Sequence, residues 1–501
     1  MTLSTCYFRI VPKAGRMLAM LLLATVLLLG GCTTYSAKFA ELRPQLVAGQ
    51  YESALTTVES ESGSKDRLLY YLERGLILHF AGRYSESNVE FSSAERLAED
   101  LYTKSVSEGA LSLISNDNAI SYRARPFEMA MVPYYKALNY IYLGSPDEAQ
   151  VEARRASLQL SKYVDASLGA VRKQDGDQMR RVRNNAFLLY YSGMLYDSDG
   201  EVNDAFTAYR NAAVAYQQNH KILAVEIPPS LGQDLERLAG RLGFYSELIQ
   251  LKKDCPNVFA AAGNSGNDEK QKTKEDYESA VSNKGWQAGH GEIVFFLEAG
   301  FVAHKTQVRF DFPIFEGEAY SDSDYWAWQM YAGMGNMQAL VRGRRIEYLV
   351  SVAAPELQDP VGDIGGARIT AGVSGDHTVT HQVANLSREA RITFDSEKPT
   401  IFFKTIARGL TKYLASREIK KQSDLAGALA NLFGAATESA DTRSWLTIPE
   451  NVHLARLSLP AGTYDLKVDI LDRRGQFLHS ETIAGVVVEA GGWTFLSRRI
   501  F

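Results

Sequence analysis

The front half of the chain is punctuated by a spacing that leaves few choices of fold. A glycine sits between two apolar helical stretches, with a tyrosine or like residue after it and small residues at set distances on either side. Gly75 precedes Gly82 by two helical turns, and Tyr84, Phe91 and Ala94 follow. Ala137, Tyr140, Gly144, Ala149, Ala153 and Ala156 fall at matching offsets, as do Gly193, Tyr196, Gly200, Ala205, Tyr209 and Ala212. A weaker first copy holds Gly49, Tyr51, Ala54 and Val58. The central glycine permits the left-handed backbone that ends a helix. The small residue two turns earlier lets an antiparallel helix approach.

This pattern resembles the tetratricopeptide repeat, a helix–turn–helix unit of 34 residues. Gly49 and Gly82 stand about one such repeat apart, whereas the later intervals are wider and must contain further helix or loop. Gly243, Tyr245 and Leu248 mark either one more half-unit or a closing helix. Such units bury their apolar faces only by stacking, which leaves a curved surface. Tyr70 and Tyr71, Tyr134 and Tyr135, and Tyr190 and Tyr191 recur as pairs near the start of the first helix. They are either core or the aromatic anchors of an interface. On the second reading Tyr134, Tyr135, Tyr190 and Tyr191 form an interaction surface.

Composition changes sharply over 256–291, where glycine, asparagine and a charged run from Asp268 to Asp276 read as a linker. Beyond it the pattern is that of strands: Ile293–Glu298 is a buried-strand run, Gln307–Phe312 alternates polar and apolar residues, and Glu347–Ala353, Gly462–Leu471, Thr482–Glu489 and Trp493–Ser497 also read as strands. Turns at Pro460-Ala461-Gly462 and Arg473-Arg474-Gly475 make the last stretch an antiparallel meander. A helix over about Val383 to Ser416, continued by Leu425–Phe433, interrupts the strands. It carries Lys404, Arg408 and Lys412 at four-residue intervals, a stripe for an anionic group or a solvated face. The expectation is an α+β chain: a helical repeat domain over 32–255, a linker over 256–291, and a mostly antiparallel β domain with an inserted long helix over 292–501.

The first 31 residues have a different logic. Arg9, Lys13 and Arg16 precede the uncharged apolar run Met17–Leu29, and Gly30-Gly31 precede Cys32. That run rises roughly 20 Å as a helix, short of the ~30 Å hydrocarbon core of a bilayer. It has the parts of a secretory signal peptide, and with the small pair before a cysteine it resembles a bacterial lipoprotein signal. The resemblance implies cleavage before Cys32, acylation of its thiol and new amino group, and tethering instead of spanning. Thr33 follows Cys32 in place of the aspartate that typically retains such proteins in the inner membrane, which implies the outer membrane.

Removing the three basic residues of the signal from 54 leaves 51 against 59 acidic residues. That balance argues against a nucleic-acid binder, which would show a basic footprint. Of three cysteines, Cys6 leaves with the signal and Cys32 is acylated, so Cys255 has no disulfide partner within the chain. A buried or loop cysteine is the ordinary reading for it.

The sequence lacks a phosphate-cradling glycine loop with its lysine and a nucleophile-elbow serine. Gly362, Gly365 and Gly366 read as a hairpin loop. His377 and His381 flank β-branched residues, and on one strand they stand ~13 Å apart, too far for one metal. Arg342, Arg344 and Arg345 form a small basic cluster. Asp322 and Asp324 beside Trp326 and Trp328 form either a sugar-stacking platform, a calcium loop or an acidic turn. No cofactor, metal or catalytic set emerges, and a non-catalytic protein is expected.

Asp441-Thr442-Arg443-Ser444-Trp445-Leu446-Thr447-Ile448-Pro449 and Leu459-Pro460-Ala461-Gly462, with the signal ending at Cys32 and the repeats, resemble a family of uncharacterised bacterial envelope lipoproteins. The resemblance carries no catalytic residues. It implies a scaffold or adaptor on the periplasmic face of the outer membrane that binds an envelope protein through its repeats, in cell-wall synthesis or secretion. Lipoproteins that activate peptidoglycan synthases share this plan by analogy. The alternative is a glycan-binding or glycan-processing protein, with peptidoglycan as its ligand, working through the second half.

Overall fold

A computed structural model describes residues 35–59, 65–103, 120–156, 185–263, 289–315, 346–360, 362–372, 376–422 and 439–501. The front part consists of paired helices: α1 (Tyr35–Val47) with α2 (Tyr51–Glu59), α3 (Arg67–Phe80) with α4 (Tyr84–Thr103), and α5 (Pro126–Tyr142) with α6 (146–156). α7 (Ala186–Ser198) pairs with α8 (Val202–Leu223), and α9 (Pro229–Leu242) with α10 (Tyr245–Asp254), before the short α11 (Pro256–Ala261). The chain turns within each pair at Gly49, Gly82, Gly144, Gly200 or Gly243, all with φ between 67° and 83°. An L side chain there would strain the backbone.

The spacing reads as the helix contacts require. A Cβ on Gly75 would lie 2.8 Å from the Phe91 ring, and one on Gly193 would overlap the ring of Tyr209. Ala137, Ala149, Ala153, Ala205 and Ala212 are all buried at the corresponding contacts. Gly243 does close a full helix pair, so the half-unit reading is superseded. The helical part extends past its expected end at residue 255. α11 lies within 256–291, and its Val258 and Phe259 are buried in the helical core against Gly232.

The second half supplies ten strands among the described residues. β1 (His290–Ala299), β6 (His381–Asn385), β7 (Asn451–Pro460) and β10 (Trp493–Ile500) form one sheet in the order β10-β1-β7-β6. β4 (Ile364–Ala371), β5 (Asp376–Val379), β8 (Gly462–Asp472) and β9 (Phe477–Val488) form a second, in the order β5-β4-β8-β9. β2 (His304–Phe315) pairs with β3 (Ile346–Gln358) as a separate ribbon. β10 runs parallel to β1, and every other pairing is antiparallel.

The terminal stretch is therefore not a simple meander. β8 and β9 make a hairpin, but β7 and β10 belong to the facing sheet. The Pro460-Ala461-Gly462 corner carries the chain from one sheet to the other, as does Thr380 between β5 and β6. Strands that switch sheets in this way form the corners of a sandwich. Gly365 and Gly366 stand in β4 at a register shift, not in a hairpin loop. The long helix, α12 (Leu386–Gln422), begins only after β6, so Val383 is a strand residue. Leu425–Phe433 lies outside the described residues.

Strand alternation assigns β1 to both interfaces. Ile293, Phe295 and Leu297 face the second sheet and meet Ile369, Val468 and Ile470. Val294 and Phe296 face the other way, into a core shared with the helix pairs. The result is three layers, helices on sheet on sheet, with β1 buried on both faces.

Replacing Gly193 with alanine should force the Tyr209 ring aside and lower the unfolding free energy by about 1–3 kcal/mol. Urea denaturation followed by circular dichroism measures this. An unchanged midpoint would show that the helices of this pair do not depend on so close an approach.

Candidate functional site

From Thr442 to Glu450 every residue is buried, yet the stretch has no regular secondary structure. Buried backbone without a ladder must find its hydrogen bonds elsewhere. Here the helix pairs supply them. The Trp445 N–H donates to Glu128 Oε1 at 2.7 Å, and the Leu446 N–H donates to Glu73 Oε1 at 2.8 Å. Thr447 donates its hydroxyl to Glu73 Oε2, and Tyr35 donates to Glu73 Oε1 at 3.2 Å. Two carboxylates from neighbouring pairs, on α3 and α5, thus hold consecutive N–H groups of an irregular segment.

Glu128 reaches this position from the first turn of α5. Its Oε2 also accepts the Arg125 N–H at 2.5 Å and the Tyr122 hydroxyl at 2.6 Å. A helix-start carboxylate therefore closes its own helix and grips the segment. Trp445 is fully buried, with its ring 6.0 Å from that of Phe91 and its indole N–H donating to Thr447 at 3.0 Å. Arg443 joins the two halves as well. It bonds Asp441 through Nε and Nη2 at 2.9 Å, and Asp66 and the Ile120 carbonyl through Nη1 at 3.0 Å.

The tyrosine pairs are not an open surface: Tyr134, Tyr135, Tyr190 and Tyr191 are all buried. Their repeat spacing places them where the array meets β1. Tyr134 and Tyr135 donate to the two oxygens of Glu298 at 3.1 and 2.9 Å. Phe296, two residues earlier on β1, sits edge-on to Tyr134, Phe187 and Tyr191 at centroid distances of 5.7, 6.1 and 5.5 Å. The interface these tyrosines anchor is internal to the chain.

Tyr190 belongs to a buried ionic chain at the other end of the seam. Arg456 on β7 donates to Glu292 at 2.8 Å, to the Tyr190 hydroxyl at 3.1 Å and to Asp234. Its guanidinium lies 4.6 Å from the Trp493 ring centroid. Arg237 continues the chain to Asp234, at 3.1 Å, and to Asp197.

The stripe on α12 is broken, because Arg408 is buried while Lys404 is half-buried. These cations do not make a continuous exposed face, and the side chain of Lys412 lies outside the described residues. His377 and His381 fall on different strands, and His381 Nδ1 is 2.9 Å from Glu226. Among the described residues no cluster of metal-ligating side chains occurs. Burial pushes the Cys255 thiol up to about 11, so it is protonated at neutral pH. Asp322, Asp324, Trp326, Trp328 and Arg342, Arg344 and Arg345 lie outside the described residues.

Sequence reasoning missed Glu73 and Glu128 altogether. A lone glutamate on a helix carries no marker of what it will hold. The one available sign was Glu128 three residues after Arg125 at a helix start.

Burial pushes the Glu73 carboxyl up from an ordinary 4.5 to about 7, against the pull of its hydrogen bonds from Thr447, Leu446 and Tyr35. The folded chain then holds this proton more tightly than the unfolded chain. The contribution is full below pH 4.5 and is lost as pH rises through 7. Burial moves His79 and His453 the other way, down to about 4, which favours folding above pH 6.5. The comparison that isolates Glu73 is with Glu73→Gln. Between pH 4.5 and 7.5 the wild type should lose up to about 3 kcal/mol relative to that variant. Parallel stability curves would show that Glu73 is not the titrating group. Trp445→Ala should cost about 3–5 kcal/mol in urea denaturation, and a cost below 1 kcal/mol would show that the segment is not held as described.

No protein-family model matches the chain, and no curated protein matches it. Among solved structures it is similar to the yeast TPR2AB-domain:pHSP90-complex of Sti1. The identity is 10%, covering 49% of this chain and 98% of that chain, at a TM-score of 0.20. A likeness at that level carries no argument about this chain.

Proposed function

We propose that this chain is a lipid-anchored lipoprotein on the periplasmic face of the bacterial outer membrane, working as a protein scaffold. The observation that carries this reading is how the buried carboxylates are used. Glu73, Glu128 and Glu298 hold backbone N–H groups and tyrosine hydroxyls of the chain itself. The repeat array is built to grip polypeptide, and its inner face is already filled by Trp445 and β1. A partner from the cell-wall synthesis or secretion machinery would then dock on outward faces of the helix pairs, where Val89, Leu143 and Val151 are exposed.

The position of the first helix supports the same reading. α1 starts at Tyr35, three residues after Cys32, which limits the tether to ~11 Å of extended chain. Because Tyr35 is bonded to Glu73, the start of the array would stand at the lipid surface, presenting the stacked pairs away from it. Among the described residues no helix is long and apolar enough to cross a membrane.

Two measurements test this. Cys32→Ser should leave the mature part folded while the protein stays unprocessed and out of the outer-membrane fraction, and a variant that still fractionates as a processed outer-membrane protein would refute the anchor. Photo-crosslinkers placed at Val89 and Val151 in cells should capture a discrete envelope protein. Capture no greater than from an unrelated lipoprotein would refute the scaffold.

A further inference from the structure

The helix-facing side of β1, β6 and β7 is left open beside α9, where a cleft of about 660 Å³ reaches down to the sheet. That volume falls within the roughly 300–1,000 Å³ of small-ligand sites. Its charged and titratable groups are Glu292 and Arg456 on the floor, Asp234 and Arg237 on the α9 wall, and His381 on β6, whose Nδ1 is 2.9 Å from Glu226. Gln233 and Ser458 add neutral polar groups, both exposed.

These charges decide what fits. Two carboxylates and two guanidiniums line the cleft, and they are bonded to one another. An ionic ligand would either stay uncompensated or break a pair and leave its other member buried alone. An apolar ligand would strip water from Glu292, Gln233 and Ser458 and return no hydrogen bonds. A neutral ligand rich in hydroxyls avoids both costs. Each hydroxyl donates to a carboxylate or amide oxygen and accepts from a guanidinium or amide N–H.

The floor is also set in advance. Arg456 is held between Glu292 and Asp234 and stacked on Trp493, and Pro228 and Pro229 stiffen the rim. A ligand would not have to order these groups on binding. We propose that this cleft is a binding site for a neutral oligosaccharide.

The test is titration calorimetry on the full-length protein in detergent, with chitotetraose, cellotetraose and maltotetraose as neutral probes. Hexalysine, inositol hexaphosphate and dodecanoate serve as cationic, anionic and apolar probes. At least one neutral sugar should bind with a Kd at or below about 1 mM. Gln233→Ala and Ser458→Trp, both outside the ion network, should each weaken that binding at least ten-fold with the thermal midpoint unchanged. The proposal is overturned if none of the three sugars binds, if Ser458→Trp leaves their affinity intact, or if a charged or apolar probe binds in a Ser458→Trp-sensitive way while the sugars do not. The cleft lies apart from the crosslinking positions on α4 and α6, so the scaffold reading and this one can fail independently.

Discussion

Two glutamates hold the backbone of the Trp445 segment, and much of the tertiary structure depends on that grip. A stretch of irregular chain from Thr442 to Glu450 is buried between the helix pairs and the sandwich. Had its N–H groups no acceptors, each would cost free energy comparable to a lost hydrogen bond. Glu73 and Glu128 provide acceptors from two successive helix pairs. The segment in turn hands the chain to β7, since the Glu450 N–H donates to the Ala299 carbonyl at the end of β1 at 2.8 Å.

This arrangement joins what composition divides. The core built on Leu72, Phe91 and Tyr134 continues into Phe296, Trp445, Leu454 and Phe495 without a break. A smaller core likewise mixes Leu42, Ile77 and Leu78 of the helices with Phe301 and Leu446 of the second half. Contacts so shared imply that the helix pairs and the first sheet stabilise each other. The inner face of a repeat array is elsewhere available to a partner; in this chain it is an intramolecular interface. Any partner must use what remains outside.

Buried polar groups along the seam serve the same end. Glu298 between two tyrosine hydroxyls, and Arg456 among Glu292, Asp234 and Tyr190, are each satisfied only when helices and sheet are correctly registered. A shift of β1 by one residue would turn Phe296 away from its aromatic socket and point its neighbour there instead. Such networks specify one register more strongly than apolar contact alone would.

The sequence by itself determined the helix pairs, because a turn glycine and a small residue two turns before it are local requirements that the letters record. It marked six of the strands through alternation or an apolar run, while acylation of Cys32 stays an expectation. It marked Tyr134, Tyr135, Tyr190 and Tyr191 as special, since their repeat positions are regular, but not whether they face water or the chain. Only the tertiary structure decided that, together with the sheet switching at Ala461 and Thr380 and the roles of Glu73 and Glu128. The physical reason is distance along the chain. Glu73 meets Leu446, and Tyr134 meets Glu298, across separations that no periodicity spans. The burial that gives those side chains their meaning exists only once the second half has folded onto the first.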